Sequence, residues 1–598
     1  MDARALAGLG AGDIASALRL VPGVTFSRFN RVGSYGGDGG GAVFARGLGA
    51  SRPGGELTAL CDGAPRFNAV FGHPLPDILP TDAAGAVRVF KGVSPLDFGN
   101  AFAAVEIVPA DAGAEGFSAT LAGGGDGTLV ERAEVTAREG GLGVRAGQGL
   151  RRSDGHRANS GGRTADAFVR LSWRLGGVWR LSFFGDRTQN RAEDPGVAGQ
   201  PFHQGNYRTE DWFATLTLEN RGGRARGFAK LYLNDGRAAW LDQGMRGSGA
   251  VPAATAADTT TMDWRLWGLR AREAIALGEG GVLTAGADVD TQEGAAVFTT
   301  YGAGERRFGR EVFRLLSPYA GLRQAFAGGA GWRAEAEAGA RFYTHNIFGA
   351  EWSPFAKVTA VFRGLEAGLS RARGVAYPGM NVAVFSSGIL IPTLSNAGWR
   401  GLDAETLTHT ELSLARRFGG RLRVEAAVFR DDGRDRYIMV AERPGPPTRF
   451  ENIGAWRNRG AELAAAWRAP GGLEVFAGGA WLESSVAGLP YAPEWSACGG
   501  LSWEAGGGLR VSADFSWRDT MFADTRTRTA ADAAGNPRVG AAFLVNARVS
   551  LALGRAAGRG WRGELFASVE NLTDRTYEYR PGYPMPGIGW LAGARMGW

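Results

Sequence analysis

Cysteine is almost absent: Cys61 and Cys498 are the two in 598 residues. That excludes a disulfide framework, and neither has the neighbouring ligands a metal–thiolate site needs. An oxidising compartment would permit a bond between them, but a pair of buried free thiols is the preferred reading. Histidine is nearly as scarce, and His73, His156, His203, His345 and His409 are too scattered for a zinc or catalytic cluster. Long apolar runs are missing as well. Nothing approaches the ~18 consecutive apolar residues of a spanning helix, so a helical membrane protein is excluded. No block of one charge occurs either: 67 Lys and Arg are interspersed with 60 Asp and Glu, and the formal charge of +7 lacks the basic arm of a nucleic-acid binder. Solvated loops and strand faces account for that charge at least as well as a positive lumen drawing in anionic ligands. Ser, His and Asp occur without a readable catalytic arrangement. The run Gly36-Gly37-Asp38-Gly39-Gly40-Gly41 lacks the Lys-Ser/Thr and the helix of a phosphate cradle and reads as a loop.

Glycine and tryptophan are abundant together, at 95 and 18 residues, and 44% of the chain is hydrophobic. A disordered Gly-rich chain would not carry so many Trp, and no collagen period is present. A chain of 598 residues needs several domains or one very large closed architecture. The patterning selects the second. From Trp332 to Phe342 the set Trp332, Ala334, Ala336, Ala338, Ala340 and Phe342 interleaves with Arg333, Glu335, Glu337 and Arg341. In an extended strand these sets lie on opposite faces. Leu422, Val424, Ala426 and Val428 alternate likewise with Arg421, Arg423 and Glu425, and Trp212, Ala214, Leu216 and Leu218 with Thr215, Thr217 and Glu219. About 22 such segments follow Phe117, which predicts a transmembrane antiparallel β-barrel of about 22 strands, the other way to cross a bilayer. Trp590, Ala592, Ala594, Met596 and Trp598 form the outward face of a last strand able to close against the first. Stretches without alternation are candidate outer loops: Arg187 to Arg208, Leu241 to Thr261, Pro378 to Leu402 and Asp519 to Arg538. Trp179, Trp264, Trp267, Trp481 and Trp517 are candidates for the aromatic girdles. No blade motif recurs at roughly 40–50 residues, as a β-propeller would require.

The pattern differs before residue 112. Asp13 to Leu20, ahead of Pro22-Gly23, reads as a short helix capped by Asp13. Gly41 to Arg46, Glu56 to Cys61 and Ala86 to Phe90 read as short strands between Gly/Pro/Asp turns. The expected division is a small α+β domain, residues 1–112, ahead of a barrel, residues 113–598.

Short motifs then add a resemblance. Leu18-Arg19-Leu20-Val21-Pro22-Gly23-Val24 is followed by Arg46-Gly47, Asp62-Gly63, Val89-Phe90-Lys91-Gly92, Phe98-Gly99-Asn100 and Val105-Glu106-Ile107. Later come Leu402-Asp403-Ala404-Glu405-Thr406 with Glu411-Leu412, Asn452-Ile453-Gly454, Arg459-Gly460-Ala461-Glu462-Leu463, and Glu570-Asn571-Leu572-Thr573-Asp574-Arg575-Thr576-Tyr577. Each is weak alone. In this order and spacing, over nearly the whole chain, they resemble the TonB-dependent outer-membrane receptor family, with Lys91 where Arg is commoner and a terminal Trp598 where Phe is usual.

The resemblance implies that the N-terminal α+β domain is a plug inside the barrel lumen of a Gram-negative outer-membrane receptor, not an enzyme. Such a receptor takes up a scarce, bulky ligand, here expected to be a ferric siderophore or another metal chelate, with cobalamin as the alternative. A passive porin or an adhesion barrel is the rival from another class. Haem is disfavoured, because the corresponding region reads Arg371-Ala372-Arg373-Gly374-Val375-Ala376-Tyr377-Pro378-Gly379. The implied partners are the TonB–ExbB–ExbD energy-coupling complex, outer-membrane lipid and the metal chelate, with no nucleic acid, no cofactor and a monomeric state. Arg46 and Lys91 could be ordinary strand-end charges; within the resemblance they face Glu411 and Glu462 as a plug–barrel latch. His73, in Gly72-His73-Pro74, is a loop histidine that could contact ligand but is more simply solvated. The opening Met1-Asp2-Ala3-Arg4-Ala5-Leu6-Ala7-Gly8 has no apolar core of an export signal, which suggests either an N-terminus trimmed of its signal and coupling segment or a start codon placed too far downstream.

Overall fold

The computed structural model describes residues 13–36, 40–49, 56–72, 76–199, 205–242, 259–300, 304–328, 331–387, 397–440, 449–523, 536–554 and 560–598. At the N-terminal end Asp13 caps the helix Ile14–Leu18, its Oδ1 accepting from the Ser16 amide at 2.6 Å. The strand Val24–Ser27 pairs antiparallel with Ala42–Ala45. A second small sheet orders Ala64–Pro65, Leu57–Cys61, Ala103–Pro109 and Ala84–Phe90. Leu57–Cys61 is buried along its length, as a strand covered on both faces requires.

Around this domain 22 antiparallel strands close a barrel. Each pairs with the next, and the last, Gly589–Gly597, pairs with the first, Gly116–Gly124, so no edge is left open. Leu121, Trp173, Trp212, Leu231, Leu322, Val358, Leu369, Val428 and Leu463 are all exposed on the outer face. In water so large an apolar surface would aggregate; around a barrel it is the lipid belt. Thr215, Thr217, Asp186 and Asn190, on alternate positions, are buried inside.

The two ends differ. One carries tight turns such as 140–141, 223–224, 279–280 and 363–364. Glu279-Gly280 and Arg363-Gly364 take positive φ at both residues, the type I′ geometry that matches strand twist. The other end carries long connections, among them 194–205, 377–404, 435–455 and 519–541. Short turns mark the periplasmic end and long loops the outside. The chain enters its first barrel strand from the short-turn end.

The structure corrects the expected loops. Arg187 to Glu193 and Asn206 to Arg208 are paired strand, so the first outer loop is 194–205. Pro378 to Leu402 contains a buried helix, Met380–Ser386, and Asp519 to Arg538 contains Met521–Phe522 paired with Arg538–Val539. Most of Leu241 to Thr261 lies outside the described residues. Trp264 is not a girdle residue. It stands three positions from the outward Trp267, hence on the opposite face, where its ring lies over Gly236 in the core.

Candidate functional site at the plug–barrel junction

Arg46 follows the strand Ala42–Ala45 at the apex of a two-residue turn, with φ of +51° at Arg46 and +77° at Gly47. Ala45 and Leu48 close the turn by reciprocal backbone bonds of 3.0 and 2.8 Å. Gly47 is needed for space as well as φ, since a Cβ there would come 2.8 Å from Asn458 Nδ2. That amide donates to the Arg46 carbonyl.

The turn aims Arg46 at three neighbouring barrel strands, Glu405–Phe418, Leu422–Arg434 and Trp456–Arg468. Its Nη1 donates to Glu411 Oε2 at 2.7 Å and its Nε to Glu462 Oε1 at 2.9 Å. The guanidinium lies 4.1 Å from the Phe429 ring centroid. Opposite Phe429 stands Gly460, where any side chain would strike that ring. Lys91, just past the strand Ala84–Phe90, donates to the other Glu462 oxygen and to the Pro22 carbonyl. Burial pushes the Lys91 ammonium below its ordinary pKa, and Arg46 adds to that while Glu462 opposes it. The four residues expected to face one another are therefore in contact. Sequence reasoning missed His409, whose Nδ1 is 2.6 Å from Asp431 and whose Nε2 is 3.7 Å from Glu411.

Sequence reasoning also missed that the junction is ringed by further buried charge. Arg66, 1% exposed, donates to Asp211 at 2.8 Å and to Asp186 at 2.5 Å. Asp62 meets Lys230 and Arg170 at 3.0 and 3.2 Å. Burial would raise the Asp62 carboxyl, but those two cations outweigh it and hold it below its ordinary value. Asp82 contacts Arg132 and Arg151, Glu56 contacts Arg436, and Arg341 of the wall donates to the Pro95 carbonyl at 2.6 Å. The signal for Asp62 was present in the Asp62-Gly63 turn, but nothing in one sequence pairs it with wall positions more than a hundred residues away.

On the outer side the helix Met380–Ser386 lies over the plug apex. Phe385 packs on Phe71 with ring centroids 5.8 Å apart, and Met380 and Val70 both crowd Gly294 of the wall, where a Cβ would meet them at 2.5 and 2.8 Å. Phe313, His345, Phe348, Tyr377 and Trp399 form an aromatic cluster beside it. Phe313, His345 and Tyr377 also line a cavity of about 50 Å³ above the plug. His73 lies outside the described residues. Cys61, in the plug, and Cys498, in the wall, are both buried and free.

A lumen filled by an α+β domain and tied to the wall by buried ion pairs defines a plugged outer-membrane β-barrel. Family models for the TonB-dependent receptor plug domain and the TonB-dependent receptor-like β-barrel match residues 1–105 and 113–572. The chain belongs to the TonB-dependent receptor family, whose members are transport receptors that bind a ligand and work with TonB. No curated protein sequence matches it. Among solved structures it is similar to a double mutant of the ferric enterobactin receptor PfeA from Pseudomonas aeruginosa, with TM-score 0.77 at 17% identity over 98% of this chain and 96% of that one. The siderophore receptor PiuA from Acinetobacter baumannii gives 0.78 at 14% identity, and the ferric-catecholate import receptor Fiu from E. coli K12 gives 0.77 at 14%, each over 100% of this chain and 96% of the other. At such identities the likeness is one of fold.

Proposed function

We propose that this receptor imports a ferric siderophore or a comparable metal chelate across the outer membrane. The observation that carries the reading is the closed lumen: the plug meets the wall through charge at Arg46, Lys91, Asp62, Arg66 and Asp82, so passage requires the plug to move. A passive porin has no use for such closure. The siderophore receptors of the same fold support the metal-chelate class over cobalamin. In this reading residues 1–112 are the plug, residues 113–598 the barrel, and Arg46, Lys91, Glu411 and Glu462 the latch. The receptor works as a monomer with TonB–ExbB–ExbD.

Uptake of radioactive iron as ferric catecholate, ferric hydroxamate and ferric citrate, beside labelled cobalamin, tests this in a host deprived of its own receptors. Energy-dependent accumulation of one iron chelate is expected. Accumulation of cobalamin alone, or steady single-channel conductance of the purified protein, would overturn the proposal.

A further inference from the structure

Among the described residues, the outer rim of the barrel carries a row of four outward arginines with a single carboxylate beside it. Arg152, Arg163, Arg191 and Arg208 stand on four consecutive strands, Leu142–Ser153, Gly162–Leu175, Trp179–Glu193 and Asn206–Gly222. Arg163 pairs in register with Arg152 on one side and Arg191 on the other, and Arg191 pairs with Arg208. Alternation sets their direction. Trp173, Trp179 and Trp212, an even number of residues from Arg163, Arg191 and Arg208, are exposed outward, while Asp166, Asn190 and Tyr207 face in. Leu142 fixes Arg152 on the outer face in the same way, and all four arginines are exposed.

Like charges directly opposite across antiparallel strands are destabilising, and this row has three such junctions in succession. Among the described residues one carboxylate reaches it, Glu193, 3.4 Å from the half-exposed Arg191. Elsewhere on the rim Arg314 and Arg434 also lack a carboxylate among the described residues, but each faces a threonine in register, Thr291 and Thr406, and not another arginine. Arg237 and Arg265 each meet an aspartate, Asp263 and Asp235. Arg430 and Arg457 share Asp432, and Arg459 meets Glu483. Below the row of four the same strands continue as outward apolar files, with Leu150, Val169, Leu171, Phe183, Leu216 and Leu218 leading into the lipid belt. Arg187, four residues below Arg191 on the same face, lies over the ring of Trp212 at 4.9 Å and pairs with Glu210.

We propose that this face binds a phosphorylated lipid of the outer leaflet, its phosphates against Arg152, Arg163, Arg191 and Arg208 and its acyl chains along the apolar files beneath. Strands stand ~4.8 Å apart, so the row spans roughly 14 Å and suits more than one phosphate. The guanidinium fork matches phosphate oxygens two at a time. Continuity with the lipid belt selects a lipid over a soluble anion. The site rests on the barrel's membership of the outer membrane and is independent of which ligand the receptor imports.

Native mass spectrometry of the detergent-purified receptor titrated with bis-phosphorylated lipid A tests the proposal. The wild type should retain the lipid, and the combined Arg152→Gln, Arg163→Gln, Arg191→Gln, Arg208→Gln variant should bind it roughly tenfold more weakly or worse. Arg430→Gln with Arg459→Gln should bind as wild type. The same lipid stripped of phosphate, and the bis-phosphorylated disaccharide stripped of acyl chains, should each bind at least roughly tenfold more weakly. Heat-modifiable gel migration reports whether the fourfold variant is folded; if it is not, single Arg163→Gln and Arg191→Gln variants should each weaken binding, with Arg163→Lys partly restoring it. Wild-type affinity in the folded fourfold variant, or in both single variants, overturns the proposal. So does equal affinity for the lipid without phosphate or for the free headgroup.

Discussion

Replacing Arg46 by Met removes the guanidinium and leaves a chain long enough to lie on Phe429. The expected cost follows from how its two carboxylates are placed. Glu411 is 25% exposed, so water and salt recover much of what that pair loses. Glu462 is 10% exposed and Arg46 only 4%, so this pair is shielded. Deleting one member of a buried pair costs ~3–5 kcal/mol. Lys91 keeps its contact with Glu462 after the change, which places the loss at the lower end, about 3 kcal/mol. That is roughly a 100-fold rise in the population with the plug detached. Single-channel recording in planar bilayers should count it as openings the wild type lacks. Glu462→Gln should open the channel more often than Glu411→Gln, because it deprives both Arg46 and Lys91 of a partner. Arg46→Glu or Lys91→Glu should raise leak further, and charge reversal at Glu411 or Glu462 should partly restore closure. A double-mutant cycle on Arg46 and Glu462 should give a coupling of ~1–3 kcal/mol. Additivity in that cycle, with conductance unchanged in every single variant, would refute the latch.

Gly92→Ala should loosen the same junction without touching a charge: a Cβ there would come 2.5 Å from His409 Nε2, and Asp431 pins that ring from behind. Leak near that of Arg46→Met is expected, and wild-type closure would show that the ring gives way freely. Cys61, 1% exposed and with its thiol pushed up by burial, should resist maleimide in a Cys498→Ser background and react once urea frees the plug; prompt labelling of the native protein would contradict the packing. Asp62 should make plug attachment acid-sensitive. Its folded pKa is held below the unfolded value, so its contribution is complete above the ordinary carboxylate range and fades as pH falls through the lowered one. Asp62→Asn should flatten that limb of a stability–pH curve measured by urea unfolding, and an unchanged limb would sink the assignment.

The barrel was legible wherever a strand has one face in lipid. Trp212, Ala214, Leu216 and Leu218 against Thr215 and Thr217 required nothing beyond a two-residue period, and the same rule applied through all 22 strands. It failed where a strand leaves the bilayer. From Arg187 to Glu193 the outward residues Arg187, Gln189 and Arg191 are as polar as the inward Thr188 and Asn190, so paired strand reads as loop. The helix Met380–Ser386 is hidden for the opposite reason: nearly all of it is buried, so no period distinguishes one face. The contacts at Arg46 and Lys91 were reachable only through the family's motif order. Arg66, Asp186 and Asp211 carried no such marker, and their meeting is a product of closure, which places residue 66 against residues 186 and 211.

The position of Arg46 along the chain bears on how a pull at the N-terminal end would act. Between the helix Ile14–Leu18 and the strand Val24–Ser27 the chain is held to the wall at Arg19, whose Nε lies 3.1 Å from Asp514. Once that contact yields, tension reaches Val24. Because its strand is antiparallel to Ala42–Ala45, Val24 pairs with Ala45, and the Arg46 amide donates to the Gly23 carbonyl at 2.9 Å. The first rungs to take load are thus those beside Arg46, and they load one at a time, as in unzipping. Lys91 is tied to the same point through the Pro22 carbonyl and Glu462. Asp62, in the turn between Leu57–Cys61 and Ala64–Pro65, and Arg66, just past Ala64–Pro65, sit on the other sheet and would keep their wall partners while these rungs part. A pull from the N-terminal end would therefore part the contacts at Arg46 and Lys91 before the deeper pairs at Arg66.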